Sequence, residues 1–141
     1  VEKIISGVDD YVKKEGAEFL IKRFAGLCSV SEEIEDKAIA KCKGDCSGLN
    51  EAILALVSTC IEYVEPIDIR ALLEGLNIDE EDLDKLIMDH LGKRFFPVSI
   101  KTQDLTQKLN ILQKKSEAPY EEKFLEKIEQ WRNDKVITLV D

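Results

Sequence analysis

One stretch, Leu49 to Val64, restricts the choice of folds more than any other. Leu49, Ile53, Leu56, Val57, Cys60, Ile61 and Val64 recur with the helical period over about four turns. Ala52 and Ala55 widen the apolar face. A helix this apolar must be covered by other elements, so we place it at the centre, as the most buried element of the chain.

The neighbouring segments read as its cover. Ile4, Ile5, Val8, Tyr11 and Val12 suggest a first amphipathic helix, ending near Gly16. Ala17, Leu20, Ile21, Phe24, Leu27 and Cys28 suggest a second. Ser29 and Glu32 have capping-box spacing before a weakly apolar helix running to Lys43, and Ser47 is placed to cap the central helix. Pro66 opens a helix with Ile69, Leu72, Leu73 and Leu76 on one side, broken around Gly75. Asp79 is an N-cap for a stripe of Leu83, Leu86, Ile87 and Leu91, terminated by Gly92. Phe95–Ile100 is the one strand-like piece, weakened by Pro97. Thr102 caps a helix carrying Leu105, Leu109 and Leu112.

The last helix opens at Pro119, whose missing N–H is no loss at the first helical position. Glu121 and Glu122 suit the positive end of its dipole. Phe124, Leu125, Ile128 and Trp131 form its stripe. The closing Val-Ile-Thr-Leu-Val is short and β-prone, and reads as a tail. No period-2 hairpin is evident. The expectation is therefore all-α: a single-domain helical bundle over residues 1–141, with the C-terminal helix packed back on the core.

Charge excludes some functions. The net charge is −9, and residues 49–92 hold eleven acidic against two basic side chains. That distribution argues against a nucleic-acid partner, which needs clustered Lys and Arg, and leaves room for a basic protein partner. No apolar run approaches the roughly 20 residues of a membrane span.

Little in the sequence suggests a reaction. There is no phosphate loop, zinc-protease motif or nucleophile elbow. Cys28, Cys42, Cys46 and Cys60 contain one close pair, so structural thiols are the first reading, with a disulfide or redox role and a metal site behind it. The single histidine, His90, lies beside an apolar stripe with no partner spaced to make it a base. The acids from Asp79 to Asp82 lack the alternation and glycine of a calcium loop. No catalytic, cofactor-binding or metal-binding residues are assigned, and function is expected to reside in helical surfaces.

From Gly44 onward a succession of motifs points to a family. It runs through Asp45–Val57 (DCSGLNEAILALV), Leu91–Phe95 (LGKRF), Gln103–Ile111 (QDLTQKLNI) and Ser116–Trp131 (SEAPYEEKFLEKIEQW). This order resembles the core domain of the increased-sodium-tolerance family, relatives of the ESCRT-III membrane-remodelling subunits. It covers about 95 residues, and the start of the chain resembles the family's second helix. The family's long basic first helix and its tail motif for the MIT-domain AAA ATPase have no counterpart here.

The resemblance implies a non-enzymatic regulator or adaptor in multivesicular-body sorting or membrane scission. It would be cytoplasmic and peripheral on endosomal membranes. Its partners would be terminal helices of ESCRT-III subunits, and the ATPase through a tail not seen here. On this reading the face of Phe124, Ile128 and Trp131 packs near the second half of the central helix and near Leu105, Leu109 and Leu112. With Tyr120, these residues form the candidate docking surface and one wall of a groove for a partner helix. The alternative readings are an unrelated all-α interaction module and, behind it, a small enzyme or metal protein using the cysteines and His90.

Overall fold

In the computed structural model the described residues are 18–42, 48–93, 95–115 and 119–141, with side chains undescribed at 115 and 119–121. The expected first helix at Ile4–Val12, the Ser47 cap and Cys46 lie outside them. The described chain is predominantly helical. In order it forms α1 (Glu18–Leu27), α2 (Glu32–Cys42), α3 (Leu49–Glu62), α4 (Ile69–Leu76) and α5 (Glu80–Asp89). These are followed by β1 (Val98–Lys101), α6 (Thr102–Lys115), α7 (Pro119–Asn133) and β2 (Ile137–Val140).

Helix α3 is the centre. Every residue from Ala52 to Ile61 is buried, so the helix is covered on all sides rather than along one stripe. Helices α1 and α2 and strand β1 pack around it. Two hydroxyls are carried into the core with it. Ser58 and Thr59 both donate to the Ala55 carbonyl, at 3.0 and 2.7 Å, which removes the penalty of burying them unpaired. The α1 stripe contributes Leu20, Ile21, Phe24 and Ala25, and α2 contributes Ile34, Ala38 and Cys42.

The helix ends depart from the sequence expectation in a consistent way. Ser29, Val64, Asn77 and Lys135 all have positive φ, between 49° and 64°. Each lies just beyond a helix, and each is followed by an N–H that returns to a carbonyl five residues back. The bonds are Val30 to Ala25, Glu65 to Cys60, Ile78 to Leu73 and Val136 to Trp131. These are left-handed helix ends built without glycine. Ser29 is thus a terminator of α1. The cap of α2 is Ser31, whose Oγ accepts from the Ile34 N–H at 3.4 Å. Asp68 caps α4 by accepting from Ala71 N–H, and Pro66 lies in the preceding loop. Asp79 caps α5 as expected, accepting from Asp82 N–H at 3.0 Å. Gly75 faces α1, and a Cβ there would lie 2.7 Å from Leu27 Cδ1, so that exposed side chain would have to shift.

A small sheet accompanies the helices. Strands β1 and β2 pair in parallel, Val98 with Ile137 through Lys101 with Val140. The segment read as a tail is therefore a strand. A parallel pair needs a long crossover, here α6 and α7, and leaves no hairpin signature in the sequence. Thr102 is the first residue of α6, and its Oγ1 donates to the Val140 carbonyl rather than capping the helix.

Candidate functional site

A groove of ≈ 550 Å³ lies between α4, α5 and α7. The sequence places it where two short helices meet head to tail. Helix α4 stops at the left-handed Asn77, and α5 restarts at Asp79, so the chain turns between them and opens a wedge. Ile69, Leu73 and Ile78 give the groove an apolar floor. Arg70, Glu74 and Lys123 give it a rim of mixed charge.

At its α7 end lies Lys127, a charged side chain only 7% exposed. Its Nζ reaches Glu80 at 2.7 Å and Asp84 at 3.0 Å, and Gln130 Oε1 at 3.3 Å. Gln130 also donates to Asp84, so lysine, two carboxylates and an amide form one network. Burial alone lowers the lysine pKa. The hydrogen bonds and charges of Glu80 and Asp84 outweigh it, and the group is held above its ordinary value. The hydrogen bond from Lys127 holds Glu80 below the usual carboxylate range, against a smaller opposing effect of burial. A lysine so held stays protonated, which suits it to clamping α7 onto α5 and not to nucleophilic attack.

The described residues among those anticipated from sequence lie in or against one core and do not line this groove. Phe124, Ile128 and Trp131 are buried in the core, where α7 packs against α4, α6 and β2. Leu105 is buried, while Leu109 and Leu112 are half-buried against the same core. The Tyr120 side chain lies outside the described residues. The α7 residues that line the groove are instead Lys123 and Lys127. Lys127 was missed because a cation between apolar residues reads as an interruption. Its spacing was a usable signal: 124, 127, 128 and 131 share one helical face, and Glu80 and Asp84 share another.

The chemically reactive side chains are elsewhere. Cys28 and Cys60 are free and buried. Burial, with Asp68 nearby, pushes the Cys28 thiol up to about 12, and burial pushes Cys60 further in the same direction. Both therefore stay protonated and unreactive. Cys42 is disulfide-bonded, so the thiol reading does not hold for it. His90 is half-buried, with Nδ1 2.9 Å from the Leu86 carbonyl one turn earlier, as a donor in that tautomer. Among the described residues no three His, Cys, Asp or Glu side chains are grouped to hold a metal ion. No described helix is long and apolar enough to cross a membrane.

No protein-family model matches the chain, and neither a curated protein nor a solved structure matches it significantly.

Proposed function

We propose that the chain is a non-enzymatic protein-interaction module and that the groove between α4, α5 and α7 is its working surface. The observation that carries this reading is the groove's make-up: an apolar floor, a rim of both charges, and a protonated lysine already engaged by carboxylates. A surface of this kind accepts an amphipathic helix, whose apolar residues meet Ile69, Leu73 and Ile78 while its polar flanks meet Arg70, Glu74 and Lys123. The helical-bundle arrangement, with α7 folded back on the core, is part of the same proposal.

The sequence resemblance supplies a specific version. In it the chain is an ESCRT-III-related regulator of endosomal sorting, in the cytoplasm and peripheral to the membrane, and the groove's occupant is a terminal helix of an ESCRT-III subunit. The burial of Phe124, Ile128 and Trp131 favours this version, because a docked last helix is what the resemblance implies. The alternative is an interaction module of unrelated lineage with the same surface.

Titration of the chain with fluorescent peptides corresponding to ESCRT-III terminal helices tests both. Saturable binding that Leu73→Asp weakens at least tenfold supports the ESCRT-III version. No binding by those peptides, with Leu73-dependent binding of other amphipathic helices, leaves the unrelated module. Peptide binding that ignores Leu73→Asp sinks the groove as the working surface.

A further inference from the structure

Among the described residues β2 has a single strand neighbour, β1, and no strand lies beside its outer edge. The Val98 N–H donates to the Val136 carbonyl at 2.9 Å, which sets which groups face inward. In a parallel ladder successive residues point their backbone groups to opposite sides. Residues 136, 138 and 140 therefore turn toward β1, and the N–H and C=O of Ile137 and Leu139 turn outward. The Thr102 hydroxyl bonded to the Val140 carbonyl is consistent with this assignment.

The two edges of the sheet are treated differently. Beside β1 the end of α3, with Ser99 and Lys101, lines a groove of ≈ 310 Å³, and Lys101 places a charge at the end of the strand. Strand β2 has α7 packed against it. Its sequence, Ile-Thr-Leu-Val, carries no charge, proline or glycine, and native edges that must stay unpaired usually carry one of these or a covering element. Alongside it runs a groove of ≈ 310 Å³ lined by Glu129, Arg132, Asn133, Ile137 and Leu139.

We propose that this edge pairs with the same edge of a second copy of the chain. The argument for a copy, rather than another strand, is self-complementarity. A two-fold axis through Thr138 sets Thr138 opposite the partner's Thr138. It sets Ile137 opposite the partner's Leu139, and Leu139 opposite the partner's Ile137. Both Ile137–Leu139 pairs are then of the hydrogen-bonded type, so all four outward groups on each strand are satisfied in four bonds. Odd-numbered residues stay on the core face in both copies, so apolar side chains meet apolar ones over the groove, and the threonines meet on the solvent face. The rim carries one acid, Glu129, and one base, Arg132, both exposed, so a second copy brings both signs of charge to it. The two small sheets become one of four strands, a more ordinary size for a stable sheet.

The interface is short, so association is expected to be reversible, with a Kd between about 1 µM and 1 mM. Sedimentation equilibrium across that range should show the mass rising from monomer to dimer. Thr138→Lys puts two like charges opposite each other at the axis and should weaken the dimer at least tenfold. Thr138→Glu should do the same. An equimolar mixture of the two variants should recover association, because unlike charges then meet. Thr138 is exposed, and circular dichroism and thermal melts should show both variants folded as the wild type is. A wild-type chain that stays monomeric up to about 1 mM overturns the proposal. So does a dimer that ignores Thr138→Lys, or a mixture that associates no better than its components.

Discussion

Helices α3 and α7 both reach the core, but they enter it by opposite means. Helix α3 buries ten consecutive residues, all apolar but Ser58 and Thr59, whose hydroxyls are satisfied within its own backbone. Its ion pair to α2, Glu62 with Lys41 at 2.6 Å, lies at its half-buried end and not in the core. Helix α7 buries Phe124, Ile128 and Trp131 and, on the same face, the ammonium of Lys127. That charge has its partners on α5, so α7 is satisfied in only one register against its neighbour. The comparison separates two contributions. Area removed from water drives burial, and a paired charge selects among the ways of achieving it.

The most severe way to break this comparison is to place a charge where α7 has none to match. Phe124→Asp buries a carboxylate without a partner and should cost more than about 4 kcal/mol, enough to undock α7 or unfold the chain. Trp131, the only tryptophan, reports it directly. Its native emission should be blue-shifted, moving red on unfolding, and the variant's native emission should already be red.

In α3 the corresponding loss is one of volume. Leu56→Ala should destabilise by about 2–5 kcal/mol in chemical denaturation, through the cavity it leaves. A cost under half a kilocalorie, by the same yardstick, would mean that α3 is not the packed centre.

Lys127→Met tests the selecting charge. It should cost about 1–2 kcal/mol near neutral pH, less than a fully buried pair because Glu80 and Asp84 retain contact with water. The pH profile is the sharper readout. Glu80 has a lowered folded pKa, so its contribution is present above the ordinary glutamate value and is lost as pH falls through the folded one. Lys127 has a raised folded pKa, so its contribution is present below the ordinary lysine value and is lost as pH rises through the folded one. Wild-type stability should fall at both extremes from this network, and Lys127→Met should flatten both falls. Identical profiles for the two proteins would remove the clamp from the account of α7.

The smallest effect concerns how α7 ends. Lys135 is exposed and left-handed, at φ 64°. Lys135→Gly should raise stability by about 0.5–1 kcal/mol, because glycine adopts that conformation without a Cβ penalty. A loss of stability would show that the lysine side chain matters more than its backbone strain.

The fold was legible where a local pattern had a local cause. The Leu49–Val64 periodicity identified α3, and the Asp79 cap and the Pro119 start identified α5 and α7. Helix ends were harder to read. Glycine is the usual left-handed residue, and the chain uses Ser29, Val64, Asn77 and Lys135 instead. The groove was less legible still. Its floor comes from Ile69, Leu73 and Ile78, which read as ordinary stripe residues until the turn at Asn77 opens a wedge against α7.

What the sequence determined by itself was therefore the helical character of the chain, the central place of α3 and the apolar face of α7. Periodicity and caps act over a few residues, so a single segment contains all the information they require. The tertiary structure alone decided the pairing of β1 with β2 and the contact of Lys127 with Glu80 and Asp84. Each of these joins groups about forty residues apart. No short-range pattern encodes such a meeting, because it depends on how α6 and α7 cross from one strand to the next and on which faces the core has already claimed.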